Sequence, residues 1–389
     1  MSQSPVPVAE VNSLVEALLA PLTIPSDDLA QLRPGVTAAV QALLEERPRL
    51  SEEGFARGKA LFEDNLRRLQ EIYTERERHP EIADVKIERP IFILGLPRCG
   101  TSLLHALMSV DPDTRTPLSW EVAQPSPPPE AATFDTDPRI AAFDRYVDEA
   151  FAGEWAGVRK AHPVGAVIPQ ECGMIMETAF TSANPVMMFR LPSFYKWYQQ
   201  ADTTFGYQVH KKWLQHLAWH NPRKRWVLKV QEHMYHLPEL LSVYPDAILI
   251  QPHRDPLTVM ASISELIRVI RSIGYPTQDP IELGQEMLHL WHDGQVKLMA
   301  YRKAHPELKI FDMRYKDIAA NPVEAARSVY AYSGAEFTPL AEKNMRQWLA
   351  DNPSDKHGRH TYSLDDFGLT ETQIKAVYSD YIETYGAYL

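Results

Sequence analysis

The chain has 389 residues, 44% of them hydrophobic, enough to build a substantial core in one large domain or in one domain with an extension. A formal net charge of -11 argues against a general nucleic-acid binder, because phosphate backbones attract basic surfaces; the one basic cluster, Arg223, Lys224 and Arg225, reads as a solvated turn. Two cysteines, Cys99 and Cys172, cannot form a disulfide framework or a thiolate zinc site and suit a reducing compartment, and no apolar run approaches the roughly 18 residues of a membrane span.

The opening stretch MSQSPVPVAEV has neither a basic start nor an apolar signal core, so a soluble, unexported, cytoplasmic protein is expected. Residues 10–79 are rich in helix formers, with apolar residues at three and four spacing in VNSLVEALLAPL, VTAAVQALLEE and ALFEDNLRRLQEIY. They predict a helical extension, residues 1–88, ahead of a main domain at 89–389. From Ile91 the pattern changes to short apolar runs, IFILG, RWVLK, AILIQ and LKIFDM, each followed by a helical stretch. That alternation predicts an α/β fold, a parallel β-sheet flanked by helices. More than 120 residues separate the first two runs, which predicts a helical insertion at about 115–222. It opens with the proline-rich QPSPPP and carries Trp120, Phe134, Trp155, Phe194, Tyr195, Trp197 and Tyr198. These aromatics either line a pocket or lid or fill a helical subdomain core.

Immediately after the first predicted strand stands LGLPRCGTS, residues 94–102. Gly95 and Gly100 permit bends that aim backbone N–H groups inward, and a helix beginning near Thr101 presents its positive end to the same spot. The frame is that of a phosphate-binding loop, but Thr101 stands where a nucleoside-triphosphate loop carries lysine, and the nearby cation is Arg98. A metal-dependent triphosphate reading is weakened accordingly. The planar donor fork of arginine can neutralise a phosphate or sulfate oxygen without a metal. Further along, QPHRDPLTVMASISEL places Arg254 at a strand exit and Ser262 eight residues on, about two turns into a helix that starts near Pro256. Both anion sites fall at the carboxyl edge expected of the sheet, where open α/β folds bind ligands. One ligand with two separate anionic ends fits them.

From about residue 89 to the C-terminus the sequence resembles the sulfotransferase family, in particular its large bacterial branch. LPRCGTS resembles the loop that holds the 5'-phosphosulfate of 3'-phosphoadenylyl sulfate (PAPS), which implies roles for Arg98, Cys99, Gly100, Thr101 and Ser102. Arg254 with Ser262 matches the pair that holds the 3'-phosphate. MRYKDIAANP resembles the family's segment after a late strand and implies that Tyr315 lies near the adenine. KHGRHTYSLDDFGL resembles the C-terminal segment that closes over the nucleotide, implying Lys356, Gly358 and Arg359 as further 3'-phosphate ligands. The resemblance thus implies a P-loop-type fold and sulfuryl transfer from PAPS, with no metal, to a hydroxylated small molecule. Many cytosolic relatives have lysine where this chain has Arg98, so Arg98 is cast as an electrostatic clamp rather than a proton donor.

Sulfuryl transfer to an alcohol or phenol is an in-line displacement that needs a base and a cation. Glu121, in PLSWEVAQP, lies near where some family branches place a carboxylate base and is the first candidate. His233, in VLKVQEHMYHL, is the second: the cytosolic branch puts a base histidine shortly after a strand-borne lysine, although the spacing from Lys229 is four rather than two. Lys229 itself is implied as the cation that stabilises the bridging oxygen. His162 and Glu171, in HPVGAVIPQECG, form a further polar pair that suits either acceptor binding or a buried hydrogen bond. His216 with His220, His233 with His236 and His289 with His292 share helix-face spacing, but none carries the spacing of HExxH or an identifiable third ligand, so no metal site is expected. An aromatic and methionine-rich insertion, VMMF included, points to a partly apolar acceptor. Two other readings compete: an atypical P-loop kinase, and a nucleotide-binding interaction protein without transfer activity. Oligomeric state is left open by the sequence, a homo-oligomer included.

Overall fold

The computed structural model describes residues 5–152, 164–353 and 363–389. Its centre is a five-stranded sheet in the order β2-β3-β1-β4-β5, formed by β1 (Ile91–Ile93), β2 (Thr114–Arg115), β3 (Arg225–Lys229), β4 (Ile248–His253) and β5 (Ile310–Arg314). Every pairing is parallel. Four strands coincide with the four apolar runs of the sequence. The fifth, β2, was hidden because TR carries no apolar pattern. It is fixed from outside, by pairing with β3 and by the ion pair of Arg225 with Asp111 at 2.7 Å.

Alternation along the strands sorts side chains into two cores. Phe92, Leu228 and Leu249 point to one face; Ile91, Ile93, Val227 and Ile250 point to the other. On the first face Phe92 meets His210 of the helix Thr204–Ala218, His233 and Tyr244. The amino-terminal helices α1 (Val8–Leu19), α2 (Ser26–Glu46) and α3 (Glu52–Arg78) continue the same core, α2 and α3 packing on that helix, with Leu32, Val36, Leu43, Phe62 and Leu69 buried in it. The second face is covered by α4 (Thr101–Ser109) through Leu104, Leu107 and Met108. No helix among the described residues is long and apolar enough to cross a membrane.

Between β2 and β3 the described residues form short helices, among them Pro138–Ala150, Cys172–Met176, Pro192–Tyr198 and Thr204–Ala218. Trp120 is buried; Phe194 and Tyr198 are buried in the first core, with Tyr195 and Trp197 packed against it. VMMF packs there too, through Val186 and Phe189. These residues therefore hold the fold together. Trp155 and His162 lie outside the described residues.

Two buried ionisable side chains, Arg68 and Glu232, bear on stability here. Arg68 of α3 reaches into the segment after β2, donating to the carbonyls of Val122 at 3.3 Å and Met174 at 3.4 Å and to Glu177 Oε1 at 3.1 Å. Both side chains of that pair are almost completely buried. Replacing Arg68 by Met leaves Glu177 without its ion-pair partner, so urea denaturation should show a loss of about 3 kcal/mol or more; an unchanged midpoint would refute the role. Glu232, just past β3, accepts from the N–H of Ala183 at 2.5 Å and from Ser182 Oγ at 3.2 Å, yet burial pushes its carboxyl up to about 8. The folded chain then holds a proton that the unfolded chain has released, so stability falls as pH rises from the ordinary carboxylate range to about 8. Glu232→Gln should remove that slope, and urea midpoints at the two ends of this window should show the variant gaining on the parent as pH rises.

Candidate active site

The loop after β1 is shaped by three residues in the left-handed region. Gly95 has φ 115°, and a Cβ there would come within 2.9 Å of the Pro252 carbonyl, so only glycine lets the chain leave β1 so close to β4. Gly100, φ 84°, caps α4, and a Cβ there would press on Ile318 and Tyr315 at 3.1 and 3.3 Å. Arg98 holds φ 62° without being glycine, which turns its side chain out to solvent. Helix α4 starts at Thr101, so its first-turn amides, which have no partner inside the helix, converge on the loop. Thr101 is buried and Ser102 exposed. Cys99 is fully buried with its thiol pushed up to about 12 by that burial, so its side chain packs beneath the loop and only its backbone can face a ligand.

Arg98, Arg254, Ser262 and Tyr315 converge although up to 217 positions separate them, from 98 to 315. Arg98 Nε donates to Ser262 Oγ at 3.1 Å. Arg254, the residue after β4, donates from Nη1 to the Arg98 carbonyl at 2.7 Å and lies over the Tyr315 ring with its guanidinium carbon 3.9 Å from the centroid. Asp255 fixes this corner by capping the helix Pro256–Arg271, accepting from Leu257 N at 2.9 Å. A cavity of about 880 Å³ opens beside Arg254 and Tyr315, closed on its far side by Lys375, Ile382 and Tyr388. Lys356, Gly358 and Arg359 lie outside the described residues.

A second cavity, about 710 Å³, lies on the other side of Ser102. Its apolar lining comes from Ala106, Val110, Leu118, Val167, Ile168 and Trp348. Of the described aromatics singled out in the insertion, Phe134 is the one that lines it. At its inner end Lys229, the last residue of β3, is almost completely buried; its Nζ donates to Ser102 Oγ at 3.2 Å and contacts the Glu171 carboxylate. Glu171 precedes the helix Cys172–Met176, and its side chain stays 28% exposed. Its position is set by Gln170, whose N–H donates to the Pro117 carbonyl at 2.8 Å and whose amide donates to Ser119 Oγ at 3.0 Å. His105 forms part of the wall, its Nε2 3.2 Å from the Val227 carbonyl; burial and the charge of Lys229 hold the imidazole down to about 3, so it is neutral at physiological pH.

The two residues favoured as bases from sequence sit elsewhere. Glu121 is fully buried, gripped on both oxygens by Arg115, with Nη1 to Oε2 at 2.9 Å, and it also accepts from Leu118 N at 3.0 Å. Arg115 in turn donates to the carbonyls of Thr116 and Leu217 and lies against the rings of Phe134 and Trp226. Glu121 is not among the residues lining either cavity. His233 is fully buried on the Phe92 side of the sheet, its Nδ1 2.8 Å from Tyr207 Oη and its ring edge-on to Phe92 at 5.0 Å. Lys229 shares the strand face of Val227, which is the α4 side, so the sheet itself separates His233 from the cavity. Glu171, the residue sequence reasoning passed over as a base, is 58 positions from Lys229, and no local pattern announces that contact. Among the described residues no three His, Cys, Asp or Glu side chains cluster as metal ligands; His216 instead bonds through Nε2 to the Pro125 carbonyl at 2.9 Å.

Known proteins carry the same architecture over nearly the full length. The crystal structure of sulfotransferase STF9 from Mycobacterium avium superposes with a TM-score of 0.84 at 27% identity, covering 99% of this chain and 98% of that one. That of sulfotransferase STF1 from Mycobacterium tuberculosis H37Rv gives 0.83 at 26% identity, covering 97% and 100%. In sequence, the omega-hydroxy-beta-dihydromenaquinone-9 sulfotransferase Stf3 of Mycobacterium bovis is 23% identical over 307 residues, spanning 76% of this chain and 75% of the relative. A family model described as Sulfotransferase family matches residues 90–339, from the strand before the glycine loop to past Tyr315. On that match, which takes in Arg98, Lys229 and Arg254, the chain belongs to the sulfotransferase family.

Proposed function

We propose that the protein transfers a sulfuryl group from PAPS to a hydroxyl of a partly apolar small molecule, with residues 89–389 as the catalytic unit and the helices of residues 1–88 packed behind its sheet. The observation that carries this reading is the place of Ser102. It stands between an arginine pair suited to a two-ended anion and a half-apolar cavity holding a lysine and a carboxylate. When bound, PAPS supplies a sulfuryl group attached to a phosphate leaving group. The loop amides, Arg98 and the hydroxyls of Thr101 and Ser102 hold the phosphosulfate, while Arg254 and Ser262 hold the 3'-phosphate and Tyr315 borders the adenine cavity. Lys356, Gly358 and Arg359 stay on this reading as additional 3'-phosphate ligands.

Glu171, in place of Glu121 or His233, takes the proton of the acceptor hydroxyl as its oxygen bonds to sulfur. The electron pair of the breaking bridge passes to the phosphate, where Lys229 and Arg98 offset the growing charge. Glu171 fits because it is a partly exposed carboxylate on the cavity wall beside the cation that touches the loop. The apolar lining favours a hydroxylated lipid-like acceptor, in keeping with the substrate in the name of the mycobacterial relative Stf3. Two free, buried thiols suit a reducing, cytoplasmic setting.

Calorimetry with adenosine 3',5'-bisphosphate should give measurable affinity for the parent and a large loss for Arg254→Ala; an absence of binding by the parent would end the donor assignment. A panel of hydroxylated lipids, phenols and sugars assayed with labelled PAPS, with omega-hydroxy-beta-dihydromenaquinone-9 among them, should return a preferred acceptor. With that acceptor, Glu171→Gln should lower kcat about 10²- to 10⁴-fold with nucleotide affinity retained. Glu121→Gln should instead lower thermal stability without that loss of kcat. The base assignment fails if Glu171→Gln turns over like the parent.

A further inference from the structure

The last strand residue before Arg254 is held from the far end of the chain. His253 is fully buried; its Nδ1 lies 2.9 Å from Tyr381 Oη and its Nε2 lies 2.8 Å from Asp312 Oδ1. Tyr381 belongs to the C-terminal helix Ser379–Tyr385. These contacts fix the direction of every proton. The Asp312 carboxylate can only accept, so His253 carries a proton on Nε2 and donates it there; burial holds the imidazole below its usual range, and the Nδ1 of the neutral ring accepts from the Tyr381 hydroxyl. Asp312 is then closed off by Arg302, which donates to both carboxylate oxygens at 2.7 Å. Arg302 further donates to Gln251 Oε1 at 2.8 Å, and Gln251 abuts Gly95 at the root of the glycine loop. The imidazole is stacked on Tyr385 of the same helix, with centroids 4.2 Å apart and planes at 26°.

We infer that Tyr381 is a positioning residue for the donor nucleotide: through His253, the residue before Arg254, it sets where the Arg254 guanidinium stands between the Arg98 carbonyl and the Tyr315 ring. This rests on the PAPS reading. The same helix supplies Ile382 and Glu383 to the wall of the cavity beside Arg254, so a single element both encloses that cavity and aims its cation. Removing the Tyr381 hydroxyl leaves His253 Nδ1 without its partner in a dry site, and the strand end must shift to satisfy it.

The test is a double-mutant cycle read by calorimetry with adenosine 3',5'-bisphosphate. Tyr381→Phe should weaken binding about fivefold to tenfold, the loss of one buried hydrogen bond, and raise the KM for PAPS by a similar factor while kcat at saturating donor stays within about twofold. In the Arg254→Ala background the same substitution should change affinity less than about twofold, because Tyr381 acts through Arg254. Asp312→Asn, at the other end of the relay, should weaken binding in the same direction and stands in if Tyr381→Phe fails to fold by circular dichroism. Unchanged affinity in the folded variants, or an equal loss with and without Arg254, overturns the inference while the PAPS reading stands. Failure of the parent to bind the nucleotide overturns both.

Discussion

A lysine buried at the end of a central strand is the constraint around which the site is organised. Moving an ammonium out of water costs several kcal/mol unless fixed partners replace its hydration. Lys229 finds two, Ser102 in the first turn of α4 and Glu171 at the start of the helix Cys172–Met176. Those partners belong to the glycine loop and to the wall of the second cavity. Satisfying one buried charge therefore locks the glycine loop to that cavity, and it does so at the carboxyl edge of the sheet, where α/β folds place their ligands.

The sheet decides which side chains can join that cluster. Because successive residues of a strand face opposite ways, Lys229 follows Val227 to the side of α4, while Leu228 turns to the core shared with the amino-terminal helices. His233 ends in that shared core, between Tyr207 and Phe92, where burial keeps it neutral and remote from solvent. The amino-terminal helices thus do more than extend the chain. They extend the core on one side of the sheet, packing on the helix Thr204–Ala218, while α4, the loop and the cavity lie on the other.

The parts of the site that lie next to a strand end were legible in the sequence. The glycine loop, Arg254 directly after the run ILIQPH, Ser262 in the following helix and Tyr315 after the last strand all carry a local signature of strand, turn and helix. The proposed base was not legible, for a physical reason. Glu121 and Glu171 are both carboxylates at the start of a short helix, and only the third dimension separates them: Glu121 is neutralised by Arg115 of β2, whose two-residue strand leaves no apolar pattern, whereas Glu171 meets Lys229 across 58 positions. The aromatics were ambiguous in the same way. An aromatic cluster signals burial without saying whether it lies in a core or at a ligand, and Phe194, Tyr198 and VMMF are core.

The missing lysine of the loop has its explanation in the same geometry. Thr101 is almost completely buried at the start of α4, so a long cation there would have to displace what packs around it. Two ammonium groups converging on one helix N-terminus would repel each other in a region with little water to screen them. The positive charge is instead divided. Arg98, turned outward by its left-handed backbone, presents a planar fork from the solvent side, and Lys229 arrives from the neighbouring strand to touch Ser102 from the cavity side. A triphosphate loop delivers its cation along the helix axis; this one delivers two cations from opposite flanks, which leaves the line between the loop and the cavity open for an in-line approach.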